Sequence, residues 1–270
     1  AKAIALVLGL PIVAVPTTYA GSEMTPIWGL TESGQKTTGR DLKVLPKLVV
    51  YDPALTVSLP PEITGPSAIN AFAHCVEAFH APGANPITSL LAEEGIRALA
   101  TGLPGAVASP EDLGARAETL YGAYIAGSAF AVAGSGLHHK ICHVLGGAFD
   151  LPHAETHTVV LPHAMAFNEE AAPAVGERVR SALSAGSSIG SDAPRSAAES
   201  LYDLAREVGA PLSLEAVGMP RGGIASVVAR IVAAVPESNP RAVDRDSIEA
   251  LLTAAFEGHP PAVPAAATSR

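Results

Sequence analysis

The chain has 270 residues, 48% hydrophobic and 16% charged, with a net charge of −9 at pH 7. That is material for a sizeable core and one or two domains, and the acidic balance, without blocks of like charge, argues against a nucleic-acid partner. No stretch of about 18 residues is apolar and free of Gly, Pro and charge, so no membrane span is expected; no secretory signal is expected either, and a sparse pair of cysteines, Cys75 and Cys142, points to reduced thiols in the cytoplasm.

In chain order, residues 1–9 read as a helix that ends at Gly9. It begins with no capping residue, so its first amide groups lack local partners, and the expectation is that the chain starts inside a domain. PIVAVPTT is a short β-branched run closed by Pro16, the pattern of a buried strand. A second strand is expected near Ile27 to Leu30, a polar turn-rich segment at ESGQKTTGRD, and another buried strand in KLVVYDP, residues 47–53. Helix and strand in alternation predict a parallel α/β sheet.

Past residue 58 the texture changes to long, Ala-rich, periodic segments. Helices are predicted at 66–80, 87–102, 111–134, 136–146, 155–168, 175–186, 193–208, 221–235 and 246–257, the last with Asp246 as N-cap and Glu249 three residues on. LTVSLPPE, with Pro60 and Pro61, marks the junction, giving residues 1–58 as an α/β unit and 59–270 as an all-helical domain. PPAVPAAATSR reads as a frayed tail.

Three segments could carry chemistry. In SAINAFAHCVEAF, Asn70 and His74 are four apart and share a helical face, as do His139 and His143 in GLHHKICHVLGG. His153 follows in DLPHAETH, past a break containing Gly146, Gly147 and Pro152. HKICH has the spacing of the HExxH zinc-protease motif, but Lys140 stands where that mechanism needs a glutamate base. Any one histidine is more simply a core residue; two such pairs and a following histidine in a chain with nine favour one shared cavity. VPTTYAGSEMT places small and hydroxyl residues after a strand, where a ligand can approach the backbone closely. Cys75 and Cys142 lie off these faces and read as core thiols; Glu77 and Glu23 read as structural, and His138 and Lys140 as solvated or at an interface.

Together with YDPALTVSLPPE and AAFEGHPP, these stretches span nearly the whole chain in order. They resemble the iron-containing alcohol dehydrogenase superfamily, and within it the maleylacetate reductase branch. The resemblance implies a dehydroquinate-synthase-like fold: a nucleotide-binding α/β domain, partial here, followed by an all-helical domain, with the site in the cleft between them. It implies NADH or NADPH as cofactor, held by Thr17, Thr18, Ser22, Thr25 and Lys36, and a small dicarboxylate substrate, maleylacetate, reduced to 3-oxoadipate in the breakdown of aromatic rings. A homodimer is expected by family analogy. The glycine-rich turn that grips the pyrophosphate in relatives would lie upstream of AKAIAL.

Metal-dependent members hold their ion with one Asp and three His. The matching positions are Asn70, His74, His139 and His153, with His143 a further active-site histidine. An amide oxygen is a poor donor beside a carboxylate, so no metal is expected. Hydride can add to the alkene carbon β to the ketone, and hydrogen-bond donors can hold the enolate that forms. Asn70, His74, His139, His143 and His153 are the expected catalytic set, with His139 or His153 as the proton donor. The alternatives are a metal-dependent alcohol dehydrogenase of the same superfamily and an inactive helical fragment that acts by association.

Overall fold

The structure, a computed structural model, describes residues 1–32, 35–186 and 195–261, with residues 31, 32, 35 and 36 described by backbone alone. Helix α1 (Lys2–Leu8) stops at Gly9, whose φ of 67° lets its N–H turn back to the Ala5 carbonyl. Strand β1 (Val13–Ala14) pairs in parallel with β4 (Leu48–Val49), in the register Val13 to Leu48. The parallel pairing matches expectation; burial does not. Val13 is 63% and Leu48 54% exposed, because among the described residues these strands pair only with each other and no layer covers their outer faces.

Between them, β2 (Ile27–Glu32) and β3 (Gln35–Arg40) form an antiparallel hairpin from Ile27–Arg40 to Glu32–Gln35. The segment expected to be a polar turn is therefore half strand. Trp28 faces Gly39 across the ladder, and a Cβ on Gly39 would fall 2.5 Å from the Trp28 ring. The indole fills the space a side chain would need, so a glycine that weakens a strand elsewhere is accepted here.

Nine helices follow among the described residues: α2 (Pro61–Glu77), α3 (Pro86–Ala108), α4 (Leu113–Ala133), α5 (Leu137–Phe149), α6 (His153–Glu169), α7 (Pro173–Gly186), α8 (Ala197–Glu207), α9 (Ile224–Ala234) and α10 (Arg245–Glu257). No single helix among the described residues is long and apolar enough to cross a membrane. The cap of α10 corrects the expectation: Asp244, not Asp246, takes the first amides, in a capping box with Ser247. The start of the helix expected at 193 falls partly outside the described residues; α8 begins behind Ser196, which forms a capping box with Glu199. Gly146 and Gly147 lie inside α5 and do not break it. The chain turns at Asp150, in the left-handed region at φ 51°, a conformation Asp tolerates better than most residues.

Helix α6 lies between two apolar clusters. Leu161 and Met165 face one built on α2, α3, α4, α7 and α8. Val160, Ala164 and Phe167 face another built on α5, α9 and α10. The α/β unit is fastened to the helices by Arg116 of α4, which is fully buried. Its Nη1 donates to the Tyr19 hydroxyl at 3.0 Å and its Nε to the Pro110 carbonyl at 2.5 Å, while Nη2 lies 3.4 Å from the Leu59 carbonyl. The Tyr19 hydroxyl donates to Thr56, and the Tyr19 N–H donates to Ser67 of α2, each at 3.0 Å.

Two expectations follow from this packing. Arg116→Ala leaves several buried acceptors unmet and opens a cavity, so it should lower the unfolding free energy by about 3 kcal/mol, and Tyr19→Phe by about 1 kcal/mol; urea midpoints check both, and an unchanged midpoint for Arg116→Ala contradicts the fastening. The core also holds neutral imidazoles: burial pushes His138 down to about 3 and His163 down to about 4. Between those values and the ordinary histidine pKa of about 6.5, the unfolded chain binds protons that the folded chain refuses. Stability should thus be full above about pH 6.5 and fall by up to about 1.4 kcal/mol per pH unit per histidine toward pH 4. Urea midpoints at pH 7, 6 and 5 measure it, and His163→Gln should flatten the slope.

Candidate active site

Eight polar side chains meet where α2, α5 and α6 come together. Helix α2 brings Asn70, His74 and Glu77, a turn apart on one buried face. Helix α5 brings His138 and His139, buried, and His143, exposed; α6 brings His153, exposed, and His157, buried.

Glu77 fixes the arrangement. Helix α5 starts at Gly136 with no side-chain cap of its own, and the Glu77 carboxylate, reaching over from α2, accepts the His139 N–H at 3.3 Å through Oε1. A Cβ on Gly136 would sit 3.2 Å from that oxygen, so glycine leaves the approach open. Oε2 of Glu77 accepts from His139 Nδ1 at 2.5 Å. The proton is thereby placed on Nδ1, leaving Nε2 as the free lone pair.

The rings stack from there. His139 lies against Phe130 of α4 at 4.6 Å between centroids, and Phe130 lies against His74 at 4.3 Å; His74 and His139 are 5.2 Å apart and nearly parallel. His157 touches His139 at 4.7 Å and His153 at 4.2 Å, and His143 meets His139 at 5.9 Å. His143 and His153 thus form the exposed rim of a buried imidazole cluster.

Burial, then neighbouring imidazoles, holds His74, His139 and His157 well below the ordinary histidine pKa. The interior is therefore a set of neutral rings. Four of its atoms, Asn70 Oδ1, His74 Nδ1, His138 Nδ1 and His157 Nε2, are buried without a hydrogen-bond partner. Such atoms are rare in folded proteins and mark places where a polar ligand or water completes the bonding.

The threonine-rich loop sits beside this cluster, against α4. Gly21 is left-handed at φ 69°, and a Cβ on Gly127 would fall 2.3 Å from the Gly21 carbonyl, so the two backbones touch. Thr17 is exposed, Thr18 half-buried, Ser22 exposed and Thr25 buried. The Lys2 ammonium binds the oxygens around the last two: Ser22 O at 2.7 Å, Ser22 Oγ at 3.2 Å, Thr25 O at 2.8 Å, Thr25 Oγ1 at 3.2 Å and Ile27 O at 2.6 Å. Partial burial lowers Lys2 to about 8, against the pull of Glu23. Lys36 is in β3, and its side chain lies outside the described residues.

The sequence-expected His74, His139, His143 and His153 are thus brought together, with Asn70 one turn from His74. One expectation fails. His138 is not solvated: it is 2% exposed, and its Nε2 lies 3.0 Å from His157 Nδ1. Lys140 is half-buried. His157 and Phe130 were not anticipated, and Glu77 does more than frame the fold. The spacing of His153 and His157 in HAETH was a readable signal for one of them. Both cysteines are free and buried, as expected of core thiols.

Comparison with known proteins agrees with this architecture. Residues 1–53 match the family model for iron-containing alcohol dehydrogenase, and residues 64–256 match the model for the C-terminal region of the Fe-containing alcohol dehydrogenase family. A maleylacetate reductase of Sphingobium indicum is 54% identical over 97% of this chain, which spans 71% of that protein. The crystal structure of maleylacetate reductase from Rhizobium sp. strain MTP-10005 superposes with a TM-score of 0.87 at 46% identity, over 96% of this chain and 71% of that one. A more distant likeness is the sulfoacetaldehyde reductase of Bifidobacterium kashiwanohense in complex with NAD+, with a TM-score of 0.77 at 26% identity, over 90% of this chain and 64% of that one. With family models on both sides of the junction and relatives of this similarity over nearly its whole length, the chain belongs to the iron-containing alcohol dehydrogenase family.

Proposed function

We propose that the chain reduces maleylacetate to 3-oxoadipate with NADH or NADPH and without a metal ion, residues 1–58 serving the cofactor and residues 59–270 the substrate. The observation that carries the reading is the buried set of neutral imidazoles with unpaired atoms, gathered from three helices beside a loop open to close backbone approach. The relatives named maleylacetate reductase supply the substrate.

The family's name implies iron, and the donor chemistry here does not fit it. The position of the anionic ligand is Asn70, a neutral amide, and the nearby carboxylate of Glu77 is turned to His139. Iron bound by histidines in such sites is generally held with a carboxylate as well.

The cofactor loop supplies Thr17, Thr18, Ser22 and Thr25, with Lys36 on the following hairpin. Bound there, NADH or NADPH provides the hydride that adds to the alkene carbon β to the ketone. The pair of electrons moves onto the ketone oxygen as an enolate, and one proton from solvent completes the product at the carbon α to the ketone. The residues handle that proton and that charge. Neutral rings admit the dianionic substrate without first giving up ion partners, and its charge then favours their protonation. His153, on the exposed rim, takes up the proton; His157 lies between it and His139. His139 Nε2 receives it, and the Glu77 carboxylate behind Nδ1 stabilises the imidazolium that forms, as a carboxylate does in other dyads. Asn70 and His74 are placed to hold the enolate oxygen through hydrogen bonds. His143 on the rim takes a substrate carboxylate.

NADH oxidation with maleylacetate tests this directly. The chain should be active after exhaustive treatment with a chelator, and His139→Asn should lower kcat by about 100- to 10,000-fold. Activity that returns only with added iron would replace this reading with a metal-dependent one.

A further inference from the structure

We infer that His138, His139 and His157 form a binding site for one zinc ion, beside the family's metal position and distinct from it. One ligand atom from each ring gathers within 4.8 Å of the others, and all three residues are buried. Two of the donors, His138 and His157, lie outside the set formed by Asn70, His74, His139 and His153. The site is thus not the relatives' ion moved onto a poorer ligand.

The donor set suits zinc. Three neutral imidazoles with one open position for water make a stable tetrahedral zinc site and need no carboxylate in the first shell. His138 Nε2 and His157 Nδ1 are 3.0 Å apart, close to the spacing of about 3.3 Å that tetrahedral geometry requires of neighbouring nitrogens at zinc–nitrogen bonds of about 2.0–2.1 Å. As a plain hydrogen bond that pair is poorly completed, because the other nitrogens, His138 Nδ1 and His157 Nε2, are buried without a partner. Among the described residues, the one further contact to the nitrogens of these two rings is the weak one from Cys142 Sγ, 3.7 Å from His138 Nε2. His139 adds what a zinc-ligating histidine usually has, a carboxylate on its second nitrogen: Glu77 accepts from Nδ1 at 2.5 Å, which orients the ring and offsets the ion's charge. The ion can enter from the rim, where His143 and His153 are exposed and in ring contact with His139 and His157.

Binding does not rest on the reductase reading; its consequence does. Zinc on His139 Nε2 would occupy the lone pair that otherwise takes the proton, so the ion would be a reversible inhibitor.

Zinc retention by the full chain, without cofactor or substrate, tests the site. The chain is stripped with a chelator, given zinc, desalted and analysed for metal. One zinc per chain is expected. Glu77→Gln should weaken retention by about 10-fold, and His138→Gln or His157→Gln by more, whereas His74→Gln should leave it unchanged. Cobalt in place of zinc should give the parent chain the intense visible absorption of a four-coordinate ion, a readout that needs no variant. No retained metal, a six-coordinate cobalt spectrum, or loss of zinc with His74→Gln but not with His157→Gln would overturn the inference. A chain that retains zinc and yet shows no reductase activity after the zinc is stripped again would count against the proposed function alone.

Discussion

One carboxylate from one helix, bonded to the first turn of another, sets the geometry of this site. Glu77 accepts both the backbone N–H and the ring Nδ1 of His139. The first bond satisfies an amide that α5 cannot satisfy itself, because its N-cap is glycine, and it places negative charge at the positive end of the helix. The second chooses the tautomer. Capping and the orientation of the His139 ring thus share one side chain, so α5 cannot shift along α2 without turning His139 away from Phe130 and His74.

The cluster around that contact is unusual in being polar, buried and uncharged. Charged rings at these distances would repel one another, and the low dielectric of a buried site would magnify the effect. Burial therefore drives them neutral. A neutral polar interior is a poor place for iron, which in such sites takes a carboxylate ligand, and on the proposed reading a workable one for a dianion that brings its own charge and draws in protons. The unpaired Asn70 Oδ1 marks the bond that a ligand or water would complete.

Much of the helical domain was legible because its signal is periodic. All nine expected helices have counterparts, since a 3.6-residue pattern survives whatever packs against it. The α/β unit was less legible. Its strands were read as buried from their Val and Leu content, but burial belongs to the neighbouring layer, not to the strand, and Val13 lacks that layer here. The hairpin strand was missed because Gly39 and its polar neighbours signal a turn, and only the position of Trp28 explains the glycine. In the site, same-face spacing found His74, His139 and His143. It misplaced His138, because the face rule assumes that one side of a helix meets solvent, whereas the first turn of α5 is enclosed on both sides. Phe130 left no mark in the sequence: an aromatic residue on an apolar helix reads as core until the rings it packs against are known.

What remains is how a loop from one unit and a cluster from another keep the registration that hydride transfer demands, where an error of about 1 Å is costly. Two connections answer this, and both run through residues that do no chemistry. Tyr19, next to Thr18, binds Ser67 on α2, one turn before Asn70, while its hydroxyl is gripped by Arg116. Gly127 lets Gly21 rest on the backbone of α4, and the next turn of that helix carries Phe130 into the histidine stack. The threonine-rich loop is thus tied to α2 on one side and to α4 on the other, the two helices that carry His74 and its stacking partner. Among the described residues Arg116 has no carboxylate partner and spends its donors on a hydroxyl and carbonyls from three separate segments. A buried arginine used this way joins segments rather than neutralising charge, so its position is better explained by the alignment of the two halves than by stability alone.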